Sequence, residues 1–167
     1  HEFIRRFSIA YTELFEYAPK IICVSNDMKK QLRSLGCPED KIEVIPCGVN
    51  PNVFTPTQNH KKQGNSLLFI GRFTPKKNPL GLLASFKLIL KIHPECRLIM
   101  AGDGELLEDA KAFAQKHDIG NVTFPGKIDR TEALRLLNNA DIYVQHSVRV
   151  SQSGDSEGTP VSVLEAQ

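Results

Sequence analysis

From residue 67 onward the chain alternates short apolar runs with longer stretches in which apolar residues recur every three or four positions. Leu67-Leu-Phe-Ile70, Arg97-Leu-Ile-Met-Ala101, Asn121-Val-Thr-Phe124 and Asp141-Ile-Tyr-Val-Gln-His146 have the length and composition of buried strands. Between them, residues 79–93 place Leu82, Leu83, Phe86, Ile89 and Leu90 on one helical face, and residues 105–117 and 131–139 also read as helices. A last helix is predicted after the polar loop 151–156, with Pro160 near its first turn, where a missing N–H costs nothing. Four successive strand–loop–helix units predict an α/β fold, with a doubly wound, Rossmann-like parallel sheet and right-handed crossovers.

Upstream, residues 3–17 carry Phe3, Phe7, Ala10, Tyr11, Leu14 and Phe15 at helical spacing, and Pro19 ends that helix. A short strand at 20–25 follows. Next come a helix at 27–35, capped by Ser25 or Asn26 and closed by Gly36, and a strand at 41–46. Residues 55–66 are polar and turn-rich, as a linker or a surface loop would be.

Composition narrows the function classes. With 167 residues, 41% hydrophobic and 24% charged, the chain belongs among ordinary globular proteins. A net charge of +2 is too small to argue for nucleic acid or an anionic membrane. No apolar run reaches transmembrane length, and the first residues carry neither Met nor a long apolar region, so no signal peptide is expected in them. Cys23, Cys37, Cys47 and Cys96 lack metal-ligand spacing and read as small buried residues in a reducing compartment. Both ends read as cut within helices, so a piece of a longer protein is expected.

In a doubly wound sheet ligands gather outside the carboxyl ends of the strands, so the loops after each strand are the places to search. The first holds Gly71, Arg72, Lys76 and Lys77. A guanidinium fork, a lysine charge and a glycine suit a diphosphate, and a solvated basic loop explains them equally. Gly102-Asp-Gly104 is either a phosphate-facing turn or a tight strand-to-helix turn, since two glycines are a weak dinucleotide signal; Asp103 is also placed to cap the next helix. Lys127 and Ile128 either offer backbone groups to a base or form a plain turn. Glu157 and Glu165 lie about 12 Å apart if the last helix is regular through both, a spacing for hydroxyl recognition at two points of an extended ligand. A dipole-favoured first-turn acid and a solvated helix residue account for them too. His60, His93, His117 and His146 show no metal spacing and read as surface or loop histidines; Ser151 and Ser153 lack a His–Asp arrangement for nucleophilic catalysis.

Four segments in order carry a family resemblance: Gly71-Arg-Phe-Thr-Pro-Lys-Lys77, Ala101-Gly-Asp-Gly104, Val122-Thr-Phe-Pro-Gly126 and Glu157-Gly-Thr-Pro with Leu-Glu-Ala166. Together with Ile45-Pro-Cys-Gly-Val-Asn50 and Phe54-Thr-Pro56 they resemble the retaining glycosyltransferases of family 4, group 1, with the GT-B fold. The long, serine-rich loop 147–156 is similar to the exopolysaccharide and colanic-acid-type branch. Thr159-Pro160, where the family often has Phe-Gly, departs from the pattern.

The resemblance implies that residues 1–40 end an N-terminal acceptor domain and that 41–66 are a strand and interdomain linker. Residues 67–167 would be a C-terminal donor domain, incomplete at its C-terminus. It implies transfer of a sugar from a nucleoside diphosphate sugar to a hydroxyl on a glycan or lipid-linked acceptor, with retained anomeric configuration. Arg72 and Lys77 would hold the diphosphate and stabilise the leaving nucleotide without a metal or other cofactor. Glu157, Gly158 and Thr159 would face the sugar, Ile128 the base and Glu165 the ribose, with Glu157, Arg72 and Lys77 the catalytic set. His1 stands roughly where the family places an acceptor-side histidine. A cytoplasmic location, with peripheral membrane contact through the N-terminal domain, is implied, and the piece alone is expected to be inactive. A non-catalytic nucleotide-binding module and a GT-B-fold sugar epimerase remain the alternatives. A nicotinamide dehydrogenase is disfavoured, because no strand ends in GxGxxG with an acid about 20 residues on.

Overall fold

Short, largely apolar runs become strands here, and the amphipathic stretches between them become the helices that cover those strands. The computed structural model describes residues 8–54, 64–151, 154–155, 157–158 and 160–167, which fall into two units. One takes the described residues of His1–Gly48 and of Arg149–Val161. The other takes those of Val49–Val148 and Ser162–Gln167.

The first unit contains α1 (Ser8–Tyr17), β1 (Ile21–Cys23), α2 (Asn26–Ser34) and β2 (Ile42–Val44), with β1 and β2 parallel and Ile21 opposite Ile42. The start of the predicted helix 3–17, with Phe3 and Phe7, lies outside the described residues. Of the two candidate caps for α2, Ser25 is the one used: it is extended, and its hydroxyl accepts the Met28 N–H at 3.1 Å. Lys41 Nζ donates to the carbonyls of Phe15 and Glu16 at 2.8 and 2.6 Å, satisfying acceptors that the end of α1 leaves open. Phe15, Cys23, Cys37 and Ile42 form the core of this unit.

The second unit is built on a four-stranded parallel sheet of β3 (Ser66–Ile70), β4 (Arg97–Ala101), β5 (Val122–Gly126) and β6 (Ile142–Tyr143), in the order β5-β4-β3-β6. Leu67, Phe69, Leu98 and Met100 pack on one side with Leu82, Leu83 and Phe86 of α3 (Pro79–Leu90) and with Ala110 and Ala114 of α4 (Leu107–Lys116). Leu68 and Ala101 pack on the other with Leu136 of α5 (Arg130–Asn139). Both faces are covered, which is why the central strands read as unbroken apolar runs.

Three expectations are corrected. The strand predicted over 141–146 is laddered only at Ile142–Tyr143, with Leu67 opposite Ile142, although the Val144 N–H continues to the Leu68 carbonyl at 2.8 Å. The helix predicted from 105 begins at Leu107, and Asp103 does not cap it; the Asp103 carbonyl instead accepts the Phe73 N–H at 2.7 Å. The last helix, α6, runs only over Val161–Glu165, after Pro160. Glu157 therefore lies outside it, and the 12 Å helical spacing to Glu165 has no continuous helix to run along.

Candidate functional site

Strand order reverses at β3. The chain lays β4 and β5 to one side of β3 and then returns to lay β6 on the other. The loops that leave the carboxyl ends of β3 and β6 therefore part at a topological switch point, where an open α/β sheet leaves a crevice for ligands.

The loop after β3 is anchored by Phe73. Its ring is fully buried, edge-on to Phe69 at 5.7 Å and near Phe124 at 6.3 Å. Its N–H donates to the Asp103 carbonyl, and its own carbonyl accepts the Leu106 N–H at 2.9 Å. With Phe73 fixed inward, Arg72 is exposed beside it. Pro75–Lys77 form one 3-10 turn, in which the Lys77 N–H donates to the Thr74 carbonyl at 3.0 Å. Asn78 closes the turn in the left-handed region (φ 45, ψ 57) and starts α3, its side-chain oxygen accepting the Gly81 N–H at 3.2 Å. Thr74 Oγ1 is buried with no hydrogen-bond partner among the described residues, a feature no local pattern announces.

The loop after β6 is stitched to this turn. Val148 donates its N–H to the Lys76 carbonyl at 2.8 Å, and Asn78 Nδ2 stands 2.8 Å from His146 Nδ1. Gln145 donates to Ser147 Oγ at 2.8 Å and accepts from Ser162 Oγ at 3.2 Å, tying the end of β6 to α6. His146 is exposed, as a loop histidine, yet its partner lies 68 residues away in sequence. Spacing rules gave no signal for that pairing.

After β5, Ile128 packs its side chain against the cluster around Leu68, Ala101 and Leu136. Asp129 caps α5 by accepting the Glu132 N–H at 2.8 Å, and the Arg130 guanidinium lies 5.4 Å from the centre of the Phe54 ring.

Of the sequence-predicted site residues, Arg72, Lys77, Ile128 and Glu165 belong to the second unit. Glu157 and Gly158 belong to the first, where a Cβ on Gly158 would meet Val24 Cγ2 at 3.4 Å and Ser25 Oγ at 3.9 Å. Thr159, His1 and His60 lie outside the described residues. His93 faces Glu95 at 3.4 Å, and His117 stacks near Phe113 at 4.2 Å. Among the described residues no three His, Cys, Asp or Glu side chains are grouped as metal ligands, and no helix is long and apolar enough to cross a membrane.

Residues 53–167 match the family model described as glycosyl transferases group 1, and residues 1–53 match glycosyltransferase family 4. An amylovoran biosynthesis glycosyltransferase of Erwinia amylovora is 30% identical over 93% of this chain and 39% of its own length. An Escherichia coli UDP-Gal:alpha-D-GlcNAc-diphosphoundecaprenol alpha-1,3-galactosyltransferase is 31% identical over 89% of this chain and 40% of its own length. The chain thus spans about 40% of the length of these relatives. Among solved structures, a mutant Staphylococcus aureus TarM in complex with fondaparinux, alpha-GlcNAc-glycerol and UDP superposes with a TM-score of 0.76 at 18% identity, over 93% of this chain and 30% of TarM. Anabaena HepE with UDP and glucose superposes with a TM-score of 0.71 at 16% identity, over 83% of this chain and 41% of HepE. At those identities the structures speak for the fold, an α/β arrangement with parallel sheets shared with GT-B glycosyltransferases.

Proposed function

This chain belongs to the group 1 glycosyl transferases, and from that premise we propose that it carries the donor-binding part of an enzyme of polysaccharide or glycolipid synthesis. The enzyme moves a sugar from a nucleoside diphosphate sugar to a hydroxyl of a glycan or lipid-linked acceptor and retains the anomeric configuration. The observation that carries this reading is the basic turn with Arg72, Lys76 and Lys77 at the reversal of strand order, joined to the loop after β6 through Val148 and Lys76.

In this reading Arg72 offers a fork to the diphosphate and Lys77 a point charge, and both stabilise the negative charge that grows on the leaving nucleotide. That assignment supplies the charge neutralisation from side chains rather than from a metal ion. Glu157, Gly158 and Thr159 serve the sugar, Glu165 the ribose hydroxyls, and the backbone at Ile128 the base. UDP is the first nucleotide to try, since one relative is named for UDP-Gal and both solved structures contain UDP. The acceptor side, and any peripheral contact with the cytoplasmic face of a membrane, would belong to the whole protein.

Calorimetric titration of the full-length protein with UDP, GDP and ADP, repeated with Arg72→Ala and Glu165→Ala, tests the assignment. One nucleotide is expected to saturate, with each substitution weakening it about tenfold, the worth of a hydrogen bond to a charged group. A folded protein that binds none of the three sinks the reading.

A further inference from the structure

The bond between Asn78 and His146 joins the two loops at the switch point and fixes the chemistry of both side chains. The Gly81 N–H can only donate, so the Asn78 atom 3.2 Å from it is the amide oxygen and the amide NH2 faces His146. Nδ2 donates, so His146 Nδ1 accepts at 2.8 Å, and the ring is the neutral imidazole with its proton on Nε2. Gly81 keeps this arrangement open, because a Cβ there would stand 2.8 Å from Asn78 Cγ.

Asn78 directly follows Lys76 and Lys77 and holds the left-handed conformation that closes their turn. The turn is restrained from the β6 side at two points, by Val148 on the Lys76 carbonyl and by His146 on the Asn78 side chain. An exposed ring adds little packing, so its effect is local: it limits where the Pro75–Lys77 turn can stand.

We propose that His146 is a positioning residue for the nucleotide diphosphate. Acting through Asn78, it holds the Pro75–Lys77 turn, and Lys77 with it, in the geometry that binds the anion. This role rests on the donor-site reading above.

The test uses the shapes of asparagine and glutamine. Asparagine places a polar atom where Nδ1 stands, and glutamine places one where Nε2 stands. In full-length protein titrated with UDP, or with GDP or ADP if one of those is what saturates the unsubstituted protein, His146→Ala should weaken binding about fivefold, the worth of one neutral hydrogen bond. His146→Asn should restore it to within about twofold, and His146→Gln should not. A long-range nitrogen–proton spectrum of the histidine rings should show the Nε2–H tautomer at His146 without ligand.

Unchanged affinity in His146→Ala, or rescue by glutamine and not asparagine, overturns this role while the donor site stands. A ring protonated on Nδ1 in the free protein overturns it independently of any ligand. If the unsubstituted protein binds none of the three nucleotides, the donor-site reading falls and this role with it.

Discussion

A Cβ on Gly104 would stand 2.6 Å from the carbonyl oxygen of Phe73 and 2.8 Å from its nitrogen. Gly104 holds φ 140, outside the range of ordinary side chains, and a Cβ on Gly102 would overlap the Gly71 carbonyl oxygen. The Gly-Asp-Gly loop after β4 is thus the floor on which the backbone of Gly71–Phe73 rests. Gly104→Ala and Gly102→Ala should each cost about 3 kcal/mol or more, because backbone strain and overpacking act together. Gly120→Ala, with nothing within 4 Å and no positive φ, should change stability by less than about 1 kcal/mol. Urea unfolding of the three variants measures the contrast, and equal losses would refute the close-approach account.

Those two glycines also mark where reading the sequence stops. Gly102-Asp-Gly104 is visible as a turn, and the missing third glycine favours a tight strand-to-helix connection over a phosphate cradle, but its close approach to Gly71 and Phe73 shows only once the neighbouring backbone is placed. The strands at 67–70 and 97–101 are legible because helices cover both of their faces, leaving no polar alternation to confuse them; Ser66, which reads as the end of the loop before, is the first residue of β3. Residues 141–146 look strand-like throughout, but only Ile142 and Tyr143 ladder with β3 before the chain turns away toward Lys76. Arg72 and Lys77 were visible as a basic loop from composition alone. The Asn78–His146 bond was not, since it depends on which strands become neighbours and not on any local spacing.

At the opposite end of the β3–β6 pair, Asp141 Oδ2 accepts from the N–H of Asn65 at 3.2 Å, from the N–H of Ser66 at 3.0 Å and from Ser66 Oγ at 2.8 Å. The Asp141 N–H in turn donates to Ser66. With so short a ladder, this carboxylate does much to keep β6 in register. Asp141→Ala should cost about 2 to 3 kcal/mol, and Asp141→Asn less, since its amide oxygen can still accept. Denaturant midpoints give the values, and a loss below about 0.5 kcal/mol for alanine would show that the ladder holds alone.

Thiol chemistry should divide the cysteines. Burial raises the Cys37 and Cys96 thiols above their usual range, with Asp40 and Cys23 adding to it at Cys37 against Lys41, and Glu95 adding to it at Cys96. Cys23 is buried too, whereas Cys47 is half-exposed. A thiol raised in the folded state keeps its proton there longer than in the unfolded chain. Its contribution to stability is therefore complete below the unfolded thiol range and is lost as pH rises through the folded value. Under native conditions a disulfide reagent should modify Cys47 first, leaving Cys37 and Cys96 until the protein opens. Mass spectrometry of the labelled chain decides, and early labelling of Cys96 would contradict the buried assignment.

Asn78 combines two jobs that substitution can separate. Its side chain caps α3 and holds His146, while its backbone sits at φ 45, which glycine adopts freely and alanine does not. Asn78→Ala should therefore lose the cap and add backbone strain, about 2 kcal/mol in all. Asn78→Gly should lose only a few tenths of a kcal/mol. Both remove the donor that His146 accepts, so nucleotide affinity should fall by a similar factor in the two variants despite their different stabilities. Thermal melts and UDP titrations on the same preparations measure both quantities. Affinity that tracked the melting temperature instead would mean that the turn is held by the cap and the Val148 bond without help from the ring.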